Sequence, residues 1–103
     1  MDQPPSPSDC ASMAEVRAGV DEVDRQLIAL IERRFGYMDA AARIKPARDL
    51  VRDEERKSDV LARVDAAAAA SGLDRGLIAR LYEELIERSI AHEFRRWDEL
   101  REL

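Results

Sequence analysis

Residues 12–45 read SMAEVRAGVDEVDRQLIALIERRFGYMDAAARIK, and Pro46 follows directly. Apolar side chains fall at Val16, Val20, Val23, Leu27 and Leu30, in alternating steps of four and three. That spacing is the seam of an amphipathic, coiled-coil-like helix. Continued by the same rule, the seam meets Arg34, then Tyr37, Ala41 and Ile44, and Arg17 borders it beside Val16. An arginine on an apolar seam is costly unless an anion meets it there. Ser12 with Glu15 three residues on is a capping box. At the other end, Pro46 disfavours helical geometry at Lys45. One helix of about 50 Å is therefore expected over 12–45. A compact domain of this size has a radius of gyration of only about 13 Å, so the rest of the chain cannot wrap such a rod. A second copy is expected beside it, in an intimate dimer.

The whole chain has 103 residues, which suits one domain, and it is rich in alanine, leucine, arginine and glutamate. Only four glycines occur, so the composition favours helix throughout. The net charge of −5 argues against a nucleic-acid or anionic-membrane surface. Cys10 is the only cysteine, which forbids an internal disulfide and is consistent with a reducing cytosol. No apolar run reaches membrane length, and the N-terminus lacks the basic and apolar regions of a signal peptide. A cytoplasmic protein is expected.

Residues 1–11 carry Pro4, Pro5 and Pro7 and little hydrophobicity, so a disordered arm is expected there. Residues 12–103 form the expected helical domain. After the long helix comes a short polar connection, Pro46 to Arg52. Asp53 can cap a second helix, with Glu54 and Glu55 in its first turn and Gly72 as a left-handed stop. Asp74 then caps a third helix with an apolar stripe through Ile78, Tyr82, Leu85, Ile86 and Ile90. Ser89 and Glu93 break into this stripe one turn apart. The expected fold is all-α, a three-helix chain (long, short, long) forming an intertwined helical homodimer.

No glycine-rich phosphate loop, zinc-ligand cluster or nucleophile elbow is present in the sequence. His92 stands alone and reads as a surface or packing histidine, and Cys10 has no activating partner. The positive signal is cationic. Arg34 and Lys45 are three helical turns apart on nearly one face, about 16 Å along the axis. Two long side chains can bridge that span around a small anion. Arg17 lies about 25 Å before Arg34 and cannot share a small ligand with it within one chain. In an antiparallel dimer, Arg17 of one copy can meet Arg34 and Lys45 of the other. Paired guanidiniums suit a small dicarboxylate, because each fork grips one carboxylate through two bonds. Against this, an isolated arginine near a seam snorkels or pairs with an acid such as Asp21 or Asp24, and for Arg17 alone that reading is preferred. Polar residues on two stripes, Arg34 and Lys45 on one and Ser89 and Glu93 on the other, point to a shared pocket.

From about Met13 to Leu100 the chain resembles the all-helical chorismate mutases, including their isochorismate-pyruvate lyase branch. The resemblance lies in Val16-Arg17 through Leu27-Ile28, in Arg33-Arg34 and Lys45, in Arg52-Asp53-Glu-Glu-Arg56, and in Gly72-Leu73-Asp74 with Leu81-Tyr82, Ser89 and Glu93. It implies an interlocked homodimer with two shared sites, and rearrangement of chorismate to prephenate without cofactor or metal. By resemblance, Arg17 from one subunit and Arg34 from the other bind the substrate carboxylates, supported by Arg56. Lys45 and Glu93 flank the ether oxygen, and Asp53 and Ser89 occupy substrate-binding positions. Two positions depart from the pattern. Glu93 stands where many bacterial mutases carry glutamine, and Lys57 where typical mutases place a glutamate that contacts the substrate hydroxyl. That glutamate is also absent from the lyase branch, which the chain further resembles around Asp9-Cys10 and Trp97. The leading expectation is a chorismate mutase of aromatic amino-acid biosynthesis. Alternatives are an isochorismate-pyruvate lyase, a 4-amino-4-deoxychorismate mutase, and a non-catalytic helical dimerisation module.

Overall fold

Ser12 starts the first helix as its capping box predicts: its Oγ accepts from the Glu15 N–H at 3.2 Å. The Glu15 carboxylate reaches back to the Ala11 N–H at 2.8 Å, one residue before the cap. The structure, a computed structural model, describes residues 3–102. Met1, Asp2 and Leu103, the outer limits of the arm and of the helical domain in the sequence reading, lie outside the described residues. The helices are α1 (Met13–Ile44), α2 (Glu54–Ser71) and α3 (Arg75–Arg101), with short 3-10 turns at Pro7–Asp9 and Arg48–Leu50. No strand occurs among the described residues, so the chain is all-α in the expected long, short, long order.

Two compact units divide the chain, Met1–Arg34 and Phe35–Leu103. The first holds the N-terminal arm and most of α1. Within the stretch that the sequence reads as a disordered arm, Pro7–Asp9 makes a 3-10 turn. Ser6 Oγ donates to Asp9 Oδ2 at 2.8 Å, and the Asp9 N–H donates to Ser6 O at 2.9 Å. Prolines 4, 5 and 7 face Val16, Val20 and Val23 across a groove of about 440 Å³. The seam stays open along its length: Val20 is 53% exposed, Leu27 49% and Leu30 57%.

In the second unit, α2 and α3 pack antiparallel. Lys57 of α2 meets Glu83 and Glu87 of α3, while Asp65, further along α2, meets Arg75 at the start of α3. Asp53 and Asp74 cap the two helices, accepting from the N–H groups of Arg56 and Leu77. Between them Gly72 adopts φ 72°, and the N–H groups of Gly72 and Leu73 close onto Ala69 O and Ala68 O. This is a Schellman stop, whose left-handed residue favours glycine. Among the described residues, the buried apolar ones are Ala42, Val51, Ala68 and Ile86, and no large side chain is fully buried.

Charge ties α2 to α3. Glu87 accepts from Arg52 at 2.7 Å and from Lys57 at 2.7 Å. Arg52 first, then Lys57, holds the Glu87 carboxyl down to about 2 from its ordinary 4.5. A carboxyl depressed in the folded state adds stability above its unfolded value, and that contribution is lost as pH falls through the folded one. Glu87→Gln should therefore melt below wild type at neutral pH. The gap should narrow as pH falls from 4.5 towards about 2. A gap that stays constant across this window would assign Glu87 no stabilising role.

Candidate active site

Lys45 lies one residue past the end of α1, and its side chain crosses to α3. Its Nζ sits 2.6 Å from Glu93 Oε2. Glu93 is 3% exposed, on the stripe that also buries Ile86 and Ser89. Oε2 is buried and meets the ammonium as an ion pair, with no hydrogen bond directed onto it. Lys45 Nζ instead donates to the Val51 carbonyl at 3.3 Å. The pair is thus electrostatically matched, but the carboxylate keeps an unfilled acceptor position. A buried acceptor left unfilled is uncommon and costly. It marks a place where a ligand donor would be stabilised.

Ser89, one turn before Glu93, is equally buried, and its Oγ donates to Leu85 O at 2.7 Å. The structure thus brings Lys45 and Glu93 into contact, with Ser89 one turn from Glu93. Asp53 and Arg56 lie at the entrance of α2. There Asp53 Oδ1 accepts from the Arg56 N–H at 2.9 Å, and the Arg56 guanidinium pairs with Asp59 at 2.7 Å. Their side-chain contacts in this state are thus local to α2. Arg17, exposed, and Arg34, half-buried, belong to the first unit.

Some neighbours escape a reading of local pattern. Lys57 does not point at solvent: Glu83 and Glu87 each hold its ammonium at 2.7 Å and raise its pKa. The two acids lie four residues apart on α3, and that spacing was the available signal. Arg48 pairs with Asp98 at 2.9 Å and lies 4.6 Å over the Phe94 ring. His92 is a packing histidine: it stands 2.6 Å from Asp39 and edge-on to Phe35 at 5.0 Å. The groove under the arm contains none of the candidate residues and is lined by prolines and valines with only Glu22 charged. It has no cation to meet a carboxylate.

The sequence profile of the chorismate mutase type II family matches residues 16–94, a span that runs from the start of the α1 seam past Glu93. The chain belongs to the chorismate mutase type II family. It is also similar to a protein of Pseudomonas aeruginosa named isochorismate pyruvate lyase, with 28% identity over 96 residues, covering 93% of this chain and 95% of that protein. Within this chorismate mutase type II chain, the matched span includes every candidate residue from Arg17 to Glu93.

Proposed function

We propose that the chain is a chorismate mutase, rearranging chorismate to prephenate on the route to aromatic amino acids, and that it works as a cytoplasmic homodimer with shared sites. The Lys45–Glu93 pair carries this reading: a cation and a buried acid with unfilled hydrogen-bonding capacity sit together, inside the family-matched span. In the rearrangement a carbon–oxygen bond breaks while a carbon–carbon bond forms, and negative charge grows on the ether oxygen. A fixed ammonium at that oxygen lowers the barrier. Arginines on the two carboxylates hold the substrate in its reactive conformer. In this reading Arg34, Lys45, Asp53, Arg56, Ser89 and Glu93 come from one chain and Arg17 from the other.

The dimer is supported by the exposed seam of α1 and by the thin core of a single chain. Monomeric proteins rarely leave so continuous an apolar face open. A reducing compartment agrees with a single cysteine.

A second reading, isochorismate-pyruvate lyase, is favoured by Lys57. It stands where typical mutases use a glutamate to address the ring hydroxyl, and its ammonium is held by Glu83 and Glu87. The named function of the Pseudomonas relative points the same way. Incubating the purified protein separately with chorismate and isochorismate, and identifying the products, decides between them. Prephenate from chorismate supports the first reading; salicylate with pyruvate from isochorismate supports the second. Turnover of neither by folded protein would leave a 4-amino-4-deoxychorismate mutase or a non-catalytic dimerisation module.

A further inference from the structure

The end of α1 carries a vacancy created by its own sequence. In a helix the Ala42 carbonyl would accept from the N–H four residues on, but that residue is Pro46, which has none. The last helical bond here runs from the Lys45 N–H to Ala41 O at 2.9 Å. Ala42 is 0% exposed, so water cannot take the missing donor's place.

The last turn of α3 fills it. Arg101 Nη1 donates to Ala42 O at 2.9 Å, and Nη2 donates to Lys45 O at 2.8 Å, with a longer 3.5 Å contact to Arg43 O. Trp97 Nε1 also donates to Lys45 O, at 3.0 Å, and the guanidinium lies 4.1 Å over the indole. A cation at a helix C-terminus is favoured by the helix dipole as well. Glu93, Trp97 and Arg101 follow at steps of four, so they share one stripe of α3. That stripe grips Lys45 at both ends: Glu93 at its ammonium, Trp97 and Arg101 at its carbonyl.

We propose that Trp97 and Arg101 are positioning residues for Lys45, fixing the backbone from which its ammonium reaches the reacting oxygen. The proposal rests on the role given to Lys45 above, and its test separates the two. Lysine occurs only at positions 45 and 57, so the side-chain NMR signals of Lys45 are identified by comparison with Lys57→Arg. In wild type the two Hε protons of Lys45 should be inequivalent, as in a fixed side chain.

Arg101→Ala should merge those signals and lower kcat on the order of tenfold or more, with KM little changed, because displaced groups cost most in the transition state. Arg101→Lys should recover part of the loss, since one ammonium can meet one carbonyl but cannot span two. Trp97→Phe keeps the ring and removes only the N–H, so it should fall between. It carries the comparison if Arg101→Ala does not fold. Unchanged Lys45 signals and unchanged kcat in both variants would overturn the proposal. So would a lowered melting temperature as the sole effect. Merged signals with unchanged kcat would uphold the grip and overturn the catalytic role of Lys45.

Discussion

Arg17→Ala and Arg34→Ala proteins, each inactive alone, should regain activity when unfolded together and refolded. Each substitution removes one carboxylate clamp from both sites of its homodimer. Losing one partner of such a pair costs about 2–5 kcal/mol, so kcat/KM should fall at least about thirtyfold in either variant. In the heterodimer, one site receives both substitutions and the other receives neither. Random refolding makes half of the dimers mixed, so about a quarter of wild-type activity should return. No recovery in verified heterodimers would place both arginines in one site from one chain, or neither in a site. Sedimentation supplies the preliminary check: a well-folded monomer at micromolar concentration would defeat the shared site altogether.

Elements of this protein that rest on local rules were legible in its sequence. The capping box at Ser12, the caps at Asp53 and Asp74, the stop at Gly72 and the end of α1 before Pro46 each involve residues within five positions. Lys45 and Glu93 were drawn together by breaks in two apolar stripes and by resemblance. The two side chains do meet, and the depth at which Glu93 is buried follows from no local pattern. What was not legible joins distant positions through side chains of ordinary appearance. Arg52 and Lys57 converge on Glu87, and Arg101 reaches back to Ala42 and Lys45. Arginines and glutamates are abundant on every helix here, so spacing along one helix can mark a shared face but does not name the partner on another. The prolines of the arm pointed to a stretch without regular structure, and the Pro7–Asp9 turn inside it is closed by Ser6 and Asp9 from either side.

Substitutions at Glu93 and Lys45 should behave very differently, although the two side chains touch. Lys45→Ala leaves Glu93, 3% exposed, without its counter-charge. Removing one partner of a buried pair costs about 3 kcal/mol or more, so this variant should melt well below wild type. It should also lose the cation at the ether oxygen, lowering kcat by roughly 10²–10³. Glu93→Gln is the milder change, because the Lys45 side chain is 28% exposed and retains the Val51 carbonyl. The amide, unlike a carboxylate, can donate a hydrogen bond to an oxygen gaining negative charge. Turnover of chorismate at neutral pH should therefore rise in Glu93→Gln and stay below that variant in Glu93→Ala, which offers no donor. The double variant Lys45→Ala/Glu93→Gln separates stability from chemistry. It should regain most of the lost melting temperature, since no unpaired carboxylate stays buried, yet recover none of the turnover. Melting curves and kcat values for the four proteins test this together. If Glu93→Gln instead loses as much turnover as Lys45→Ala, Glu93 works as a carboxylate. A substrate bearing an amino group, such as 4-amino-4-deoxychorismate, would then be the first candidate for its partner.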